Sequence, residues 1–463
     1  MSVASEYFEY TKKYQNEYGE KTLVLMQVGS FFEVYAYKDD EGKLCGSKIE
    51  DFSLITDFVI SQKKQFYKKK PVFMAGFGVL YTDKNIKKLQ QAGYTVIMIT
   101  QDIQGKNTTR SVSEIITPGT YFSRESEQLS NNTMCISIEY NKQTSYCPET
   151  LTYGIAIIDI FTGKTLMHQF NSTYYHNPCT YDELERQVAI NQPSECIIRS
   201  NLDKKILKDI ITYVKLDNIK IHIIDDDKDT SITKMSKNAS KQTYQKEVFE
   251  KYFPMLDENI YLNAIQKTHD IAAISFILLL EFITQCNPDL TSRLNEPVFD
   301  SNDNRLILAN HSLKQLNILQ ENKSNKYDSI GTLLNNCITC MGKRQFMYNL
   351  HNPITNKDIL NKSYNVTEEF LKHDGYDNNN ECFKDYRNIM SGIKDTEKLK
   401  RKIIYKKITP KDLYVLYDDL NKILNVCNKT KKNKLIHDYC CKKTNPIKEC
   451  KKIISELKDT FNI

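Results

Sequence analysis

The residues best suited to chemistry lie in Gln27–Lys38, QVGSFFEVYAYK, where a glycine and a serine precede two phenylalanines and a glutamate. In an extended chain successive side chains alternate faces, so Phe31, Glu33 and Tyr35 share one face and Phe32 and Val34 the other. Phe32 and Val34 suit a core. Glu33 beside Phe31 suits one badly, because burying an unpaired carboxylate is costly. One reading is an edge strand with Glu33 in water. The other is an exposed face on which an aromatic ring and an acceptor meet a flat, hydrogen-bonding ligand such as a base.

Other chemistries find weaker footing. Gly163-Lys164-Thr165 resembles the end of a phosphate-binding loop, but such a loop needs a glycine at position 158, which is Ile, and a strand-to-helix turn. These residues instead sit between two strand-like runs, as a hairpin tip would. There is no Gly-x-Ser-x-Gly elbow, and the 8 histidines are dispersed without metal spacing. Cys337 and Cys340 have metal-like spacing but lack the second pair a structural zinc site requires. Asp225-Asp226-Asp227 follows a strand and reads as a solvated turn. Asp159 and nearby acids show no convincing two-metal spacing for a nuclease.

The elements that position these residues divide the 463-residue chain into several domains. Residues 1–125 read as α/β: a β-branched and aromatic strand over TLVLMQVGSFFEVY, then a helix with Asp83 as its cap, a turn at Gly93 and a buried strand. Residues 126–240 form a second α/β unit, with a hairpin around Thr162-Gly163-Lys164 and a helix broken at Pro193. Residues 245–463 are mainly helical. The apolar run Ala272–Ile283 is too short to span a bilayer and carries Glu281, so it reads as a buried helix. The expected fold class is therefore multidomain, α/β followed by all-α.

The 13 scattered cysteines, with no secretory signal, suggest free thiols in a reducing intracellular compartment. Net charge is +6, but residues 391–463 hold 19 Lys+Arg against 9 Asp+Glu. That imbalance fits either a polyanion partner or a solvated helical face.

The order of motifs resembles the MutS family of DNA mismatch repair proteins. GSFFEVY, PVFMAGF, LQQAGYTVIMITQ and IITPGT are similar to the family's mismatch-binding domain. IDIFTGK and LERQVAINQPSECII resemble its RNase H-like connector. RLILANHSLKQLNIL, the segment with Met341–Arg344, and ITPKDLYVL resemble its helical core or lever. The resemblance implies a mixed-sheet domain over 1–125, a connector over 126–240 and a core over 245–463, incomplete at its C-terminus. It implies that Phe31 intercalates at a mismatch in double-stranded DNA and that Glu33 accepts a hydrogen bond from the base. Lys68, Lys69, Lys70, Lys106 and Arg110 are candidates for backbone phosphates.

The family's ATPase lies further C-terminal, so the chain is expected to be a fragment or truncated product. The resemblance implies ATP and Mg only for a full-length form, and no cofactor, metal or catalytic residue in this chain. Dimerisation through regions beyond this chain and downstream repair proteins as partners are implied likewise, with no membrane. Two departures stand out: Ser30 replaces the aspartate usual before the wedge, and Pro-Tyr-His is absent after Ala75-Gly76. The alternative is a relative that binds branched DNA or protein partners without mismatch specificity.

Overall fold

A computed structural model describes residues 2–461 except 105–106, 123–127, 145–146, 226–229, 255–264, 266–267, 300–304, 307, 319–326, 373–382 and 442–444. The chain forms two compact units, Met1–Phe299 and Asp300–Ile463. Mixed sheets occupy the N-terminal half, and helices dominate the C-terminal part.

The first sheet runs β4-β5-β2-β1-β6-β7, built from β1 (Thr22–Val28), β2 (Phe31–Lys38), β4 (Ser61–Tyr67), β5 (Lys70–Gly78), β6 (Thr95–Gln104) and β7 (Asn107–Ile116). The two-residue β3 (Leu44–Cys45) pairs with β2. Among the described residues of this sheet, only the β1–β6 contact is parallel. Helix α1 (Val3–Tyr18) covers one face, with Tyr7 edge-on to Tyr35 at 5.1 Å. Helices α2 (Ile49–Thr56) and α3 (Thr82–Gln91) cover the other, where Phe52 stacks on Phe77 and Phe77 meets Phe32 at a tilt. Asp83 lies in the first turn of α3 rather than at its cap, which Tyr81 occupies.

The second sheet runs β12-β11-β8-β9-β10-β13. Its strands are β8 (Asn132–Asn141), β9 (Thr150–Asp159), β10 (Thr165–Thr173), β11 (Glu195–Ser200), β12 (Lys220–Ile223) and β13 (Val298–Phe299). Strands β8, β9 and β10 are antiparallel neighbours, while β11 and β12 continue parallel to β8. Helices α4 (Asp182–Asn191) and α5 (Lys204–Tyr213) pack Leu184, Val188, Leu207 and Ile210 against it. Helices α6 (Ser231–Ala239) and α7 (Gln242–Tyr252) follow, and α8 (Asp270–Cys286) lies on the sheet's other face.

Helix α8 contains the apolar run read from the sequence, and it is buried almost throughout. Its pattern groups it with the C-terminal helices, yet it belongs to the first unit because β9 offers it a close seat. A Cβ at Gly154 would lie 2.3 Å from the Ile271 carbonyl carbon, and Ser275 Oγ donates to the Gly154 carbonyl at 2.8 Å. The expected boundary near residue 245 therefore falls inside that unit. Glu281 is bonded by Tyr244, and burial pushes its carboxyl up to about 7.

A buried carboxylate ties the two sheets together. Glu195, at the start of β11, accepts from Gly119 N–H at 2.9 Å and from the Thr117 hydroxyl, both in the turn that follows β7. His222 Nε2 lies 2.7 Å from its other oxygen. Lys220, one strand over, donates to Thr95 on β6 at 2.5 Å.

In the second unit, Arg344 closes a fork over Asp395 (2.7 and 2.8 Å) and also bonds Glu397. This planar bidentate match is one that lysine cannot reproduce. Thr409 and Asp412 form a reciprocal capping box with Pro410 in the first turn, which fixes the start of the helix Pro410–Thr430. That helix packs Leu420 against Cys450, Ile454 and Leu457 of the helix Pro446–Thr460, whose Lys448, Lys451, Lys452 and Lys458 stay exposed. Burial alone would raise the Asp395 carboxyl, but Arg344 outweighs it and holds it below its ordinary value. Its contribution to stability is thus present above the ordinary carboxylate range and lost as pH falls through the lowered value. Arg344→Ala should cost roughly 2 kcal/mol at neutral pH, less at acid pH, read by urea unfolding at both.

Candidate nucleic-acid interface

Strands β1 and β2 are joined by Gly29 and Ser30 alone, with Val28 facing Phe31 across the ladder. Two-residue hairpins need positive φ, and Gly29 supplies it at +61°. Two glutamines brace the turn. Gln101 Oε1 accepts from Gly29 N–H, Gln27 Nε2 donates to the Gly29 carbonyl, and Gln27 Oε1 accepts from Gln101 N–H, each at 3.1 Å. Val79 N–H donates to the Ser30 carbonyl at 2.9 Å. The bond at Ser30 is thus a backbone one, available to any residue there.

Phe31 is therefore the first residue after a braced turn, and it is 52 % exposed. Phe32 beside it is buried against Phe77, and Val34 is fully buried. On the β5 side the ladder partner of Phe31 is Gly78, which offers no side chain to the ring, and on the β1 side it is Val28. Beyond Gly78 a short turn exposes Val79, Leu80 and Tyr81 as well, where the sequence lacks Pro-Tyr-His. Close strand packing needs glycine at position 76, where a Cβ would come within 2.5 Å of the Phe32 carbonyl oxygen.

Of the two faces read from the sequence, the buried one is found for Phe32 and Val34, while the exposed one holds only for Phe31. Glu33 is 6 % exposed and Tyr35 is fully buried, because α1 covers their face. Glu33 is not unpaired. Its Oε2 accepts from the Tyr35 hydroxyl and from Lys63 Nζ at 2.6 Å. Burial first, then the bond to Glu33, pushes the Tyr35 phenol well above its ordinary value, so it stays a proton donor. Sequence reading missed Lys63 and Gln101, which lie far along the chain from the residues they hold, and Gln27, which is next to the turn but is itself paired with Gln101 across the sheet.

The basic candidates differ in what they can offer. Lys68 and Lys69 form the two-residue tip between β4 and β5, exposed, with φ of +48° and +67°. Positive φ at both is uncommon for residues with a Cβ. Lys70 pairs with Asp40 at 3.0 Å. Arg110 is turned to Glu6 on α1 at 3.3 Å, with a side chain only 13 % exposed. Lys106 lies outside the described residues.

The nucleotide and metal alternatives do not fit the residues present. Gly163 is a hairpin turn between β9 and β10, with no helix start beside it. Asp159 spends its oxygens on Asn131 N–H, Phe161 N–H and the Thr162 hydroxyl, which shapes that turn. Asp225 pairs with Lys204, and Asp226 and Asp227 lie outside the described residues. Among the described residues no cluster of three metal-ligating side chains occurs, and no helix is long and apolar enough to cross a membrane.

Two family models match the chain: MutS domain I over residues 3–125 and MutS domain III over 311–460. A DNA mismatch repair protein mutS homolog of Acanthamoeba polyphaga mimivirus is 27% identical over 92% of this chain and 39% of its own length. The DNA mismatch repair protein MutS of Caldanaerobacter subterraneus is 24% identical over 93% of this chain and 44% of its own. That of Clostridioides difficile is 24% identical over 92% and 39%. The chain thus spans less than half the length of these relatives.

Proposed function

Because this chain is a partial MutS-like protein, we propose that it serves in DNA mismatch repair by recognising mismatched duplex DNA. The observation that carries this reading is the exposed ring of Phe31 on a braced two-residue turn, beside a Phe32 that is buried. Phe31 enters the stack at a mispair, where unstacking costs less than in paired duplex. Glu33 accepts a hydrogen bond from the displaced base. Lys68 and Lys69 contact backbone phosphates, an attraction that salt weakens. Dimerisation, recruitment of downstream repair proteins, and ATP and Mg binding are proposed for a full-length form.

Competition binding tests the reading, with duplexes carrying one mismatch, no mismatch, or a four-way junction. The expected preference for the mismatch over paired duplex is roughly tenfold or more. Equal affinity for the two overturns it. Preference for the junction without a mismatch effect would favour a relative that binds branched DNA instead.

A further inference from the structure

Glu33 poses an electrostatic problem for a DNA-binding face: a carboxylate repels phosphates whether or not the duplex holds a mismatch. The first sheet contains an answer. The β4–β5 ladder pairs Gln62 with Phe73 and then Phe66 with Pro71, so residues 63–65 of β4 stand opposite Val72 alone. Bulges of this kind redirect side chains. Lys63, the first residue of the bulge, reaches Glu33 Oε2 at 2.6 Å and the Tyr35 hydroxyl at 3.0 Å. Its ammonium also lies 4.9 Å from the centre of the Tyr35 ring. Three contacts from one flexible side chain, itself 25 % exposed, define a fixed position for a charge. All the hydrogen bonds to the Glu33 carboxylate among the described residues fall on Oε2, which leaves Oε1 without one.

We infer that Lys63 is a positioning residue for mismatch recognition: it neutralises Glu33 and fixes Oε2, so that Oε1 meets the base as an oriented acceptor. The inference rests on the reading that Glu33 faces a base. Lys63 acts through Glu33, so its effect must vanish when Glu33 carries no charge. A lysine that merely touched phosphate would act independently of Glu33.

The test is a double-mutant cycle on the full chain, read as affinity for paired and mismatched duplex at two salt concentrations. Lys63→Met should weaken binding to paired duplex roughly tenfold and to mismatched duplex by more, and Lys63→Arg should restore most of the loss. In a Glu33→Gln background, Lys63→Met should change affinity less than twofold. An equal loss in both backgrounds, with the salt slope reduced by about 0.9, would mark a phosphate contact and overturn the inference. So would no loss in either, or no duplex binding at all. Circular dichroism melting identifies a variant that fails to fold, and Lys63→Gln with the same cycle then replaces it. The broader reading fails separately: coupling between Lys63 and Glu33 without any mismatch preference in the unaltered chain leaves the electrostatic role standing and removes the base contact.

Discussion

Phe31→Ala is expected to remove roughly ten- to hundredfold of the preference for mismatched duplex. Stacking an aromatic ring on a base contributes about 1–3 kcal/mol, and alanine offers no π-face. The loss should be selective. Affinity for paired duplex arises mainly from phosphate contacts, and Phe31 makes none. The ring is half exposed, so truncation should change stability by no more than about 0.5 kcal/mol. Phe31→Leu should fall between, since it keeps bulk and loses most of the stacking. Phe32→Ala is the contrasting variant: its ring is buried against Phe77, and its loss should destabilise the domain. Competition binding, paired with a melting curve for each variant, separates the two phenylalanines.

Glu195→Ala should destabilise the first unit by roughly 3–5 kcal/mol, more than Arg344→Ala costs the second. The carboxylate is fully buried, and its removal strands the Thr117 hydroxyl, the Gly119 N–H and His222, with Lys220 close by. Alanine also leaves a cavity at Gly119, which packs against the Glu195 side chain. Glu195→Gln keeps the shape and one acceptor oxygen, so its cost should be smaller. Burial would raise the Glu195 carboxyl, but the bond and charge of His222, the charge of Lys220 and the Thr117 hydroxyl together hold it below the ordinary value. The stability it confers is therefore present at neutral pH and lost as pH falls through that lowered value. Urea unfolding should show the difference between unaltered chain and Glu195→Ala shrinking at acid pH. A difference of under about 1 kcal/mol at neutral pH would contradict this account of how the two sheets are joined.

Much of the fold was legible because it depends on local pattern. The strand at Thr22–Val28, the hairpin around Gly163, the helix before Gly93 and the buried helix over Ala272–Ile283 all follow from alternation, turn residues and apolar runs. The side on which α8 packs was not legible, since a helix buried all round shows no preferred face, and its seat is set by Gly154 over a hundred residues away. The site divides in the same way. Alternation along β2 correctly separates Phe31 from Phe32, a choice between two faces of one strand. Alternation says nothing about what covers a face, so Glu33 and Tyr35 lie under α1 with Lys63 as their partner. The pairing of Arg110 was not legible for the same reason: its partner, Glu6, sits on a helix whose placement the local pattern does not give.

If Phe31 enters the base stack at a mismatch, 2-aminopurine fluorescence reports that event most directly. The probe is placed beside a mismatch, where unstacking raises its emission, and the duplex is saturated with protein. The unaltered chain should raise the emission, more so at the mismatch than in paired duplex, and Phe31→Ala at equal saturation should not. An equal rise with both proteins, or none with either, would contradict the claim.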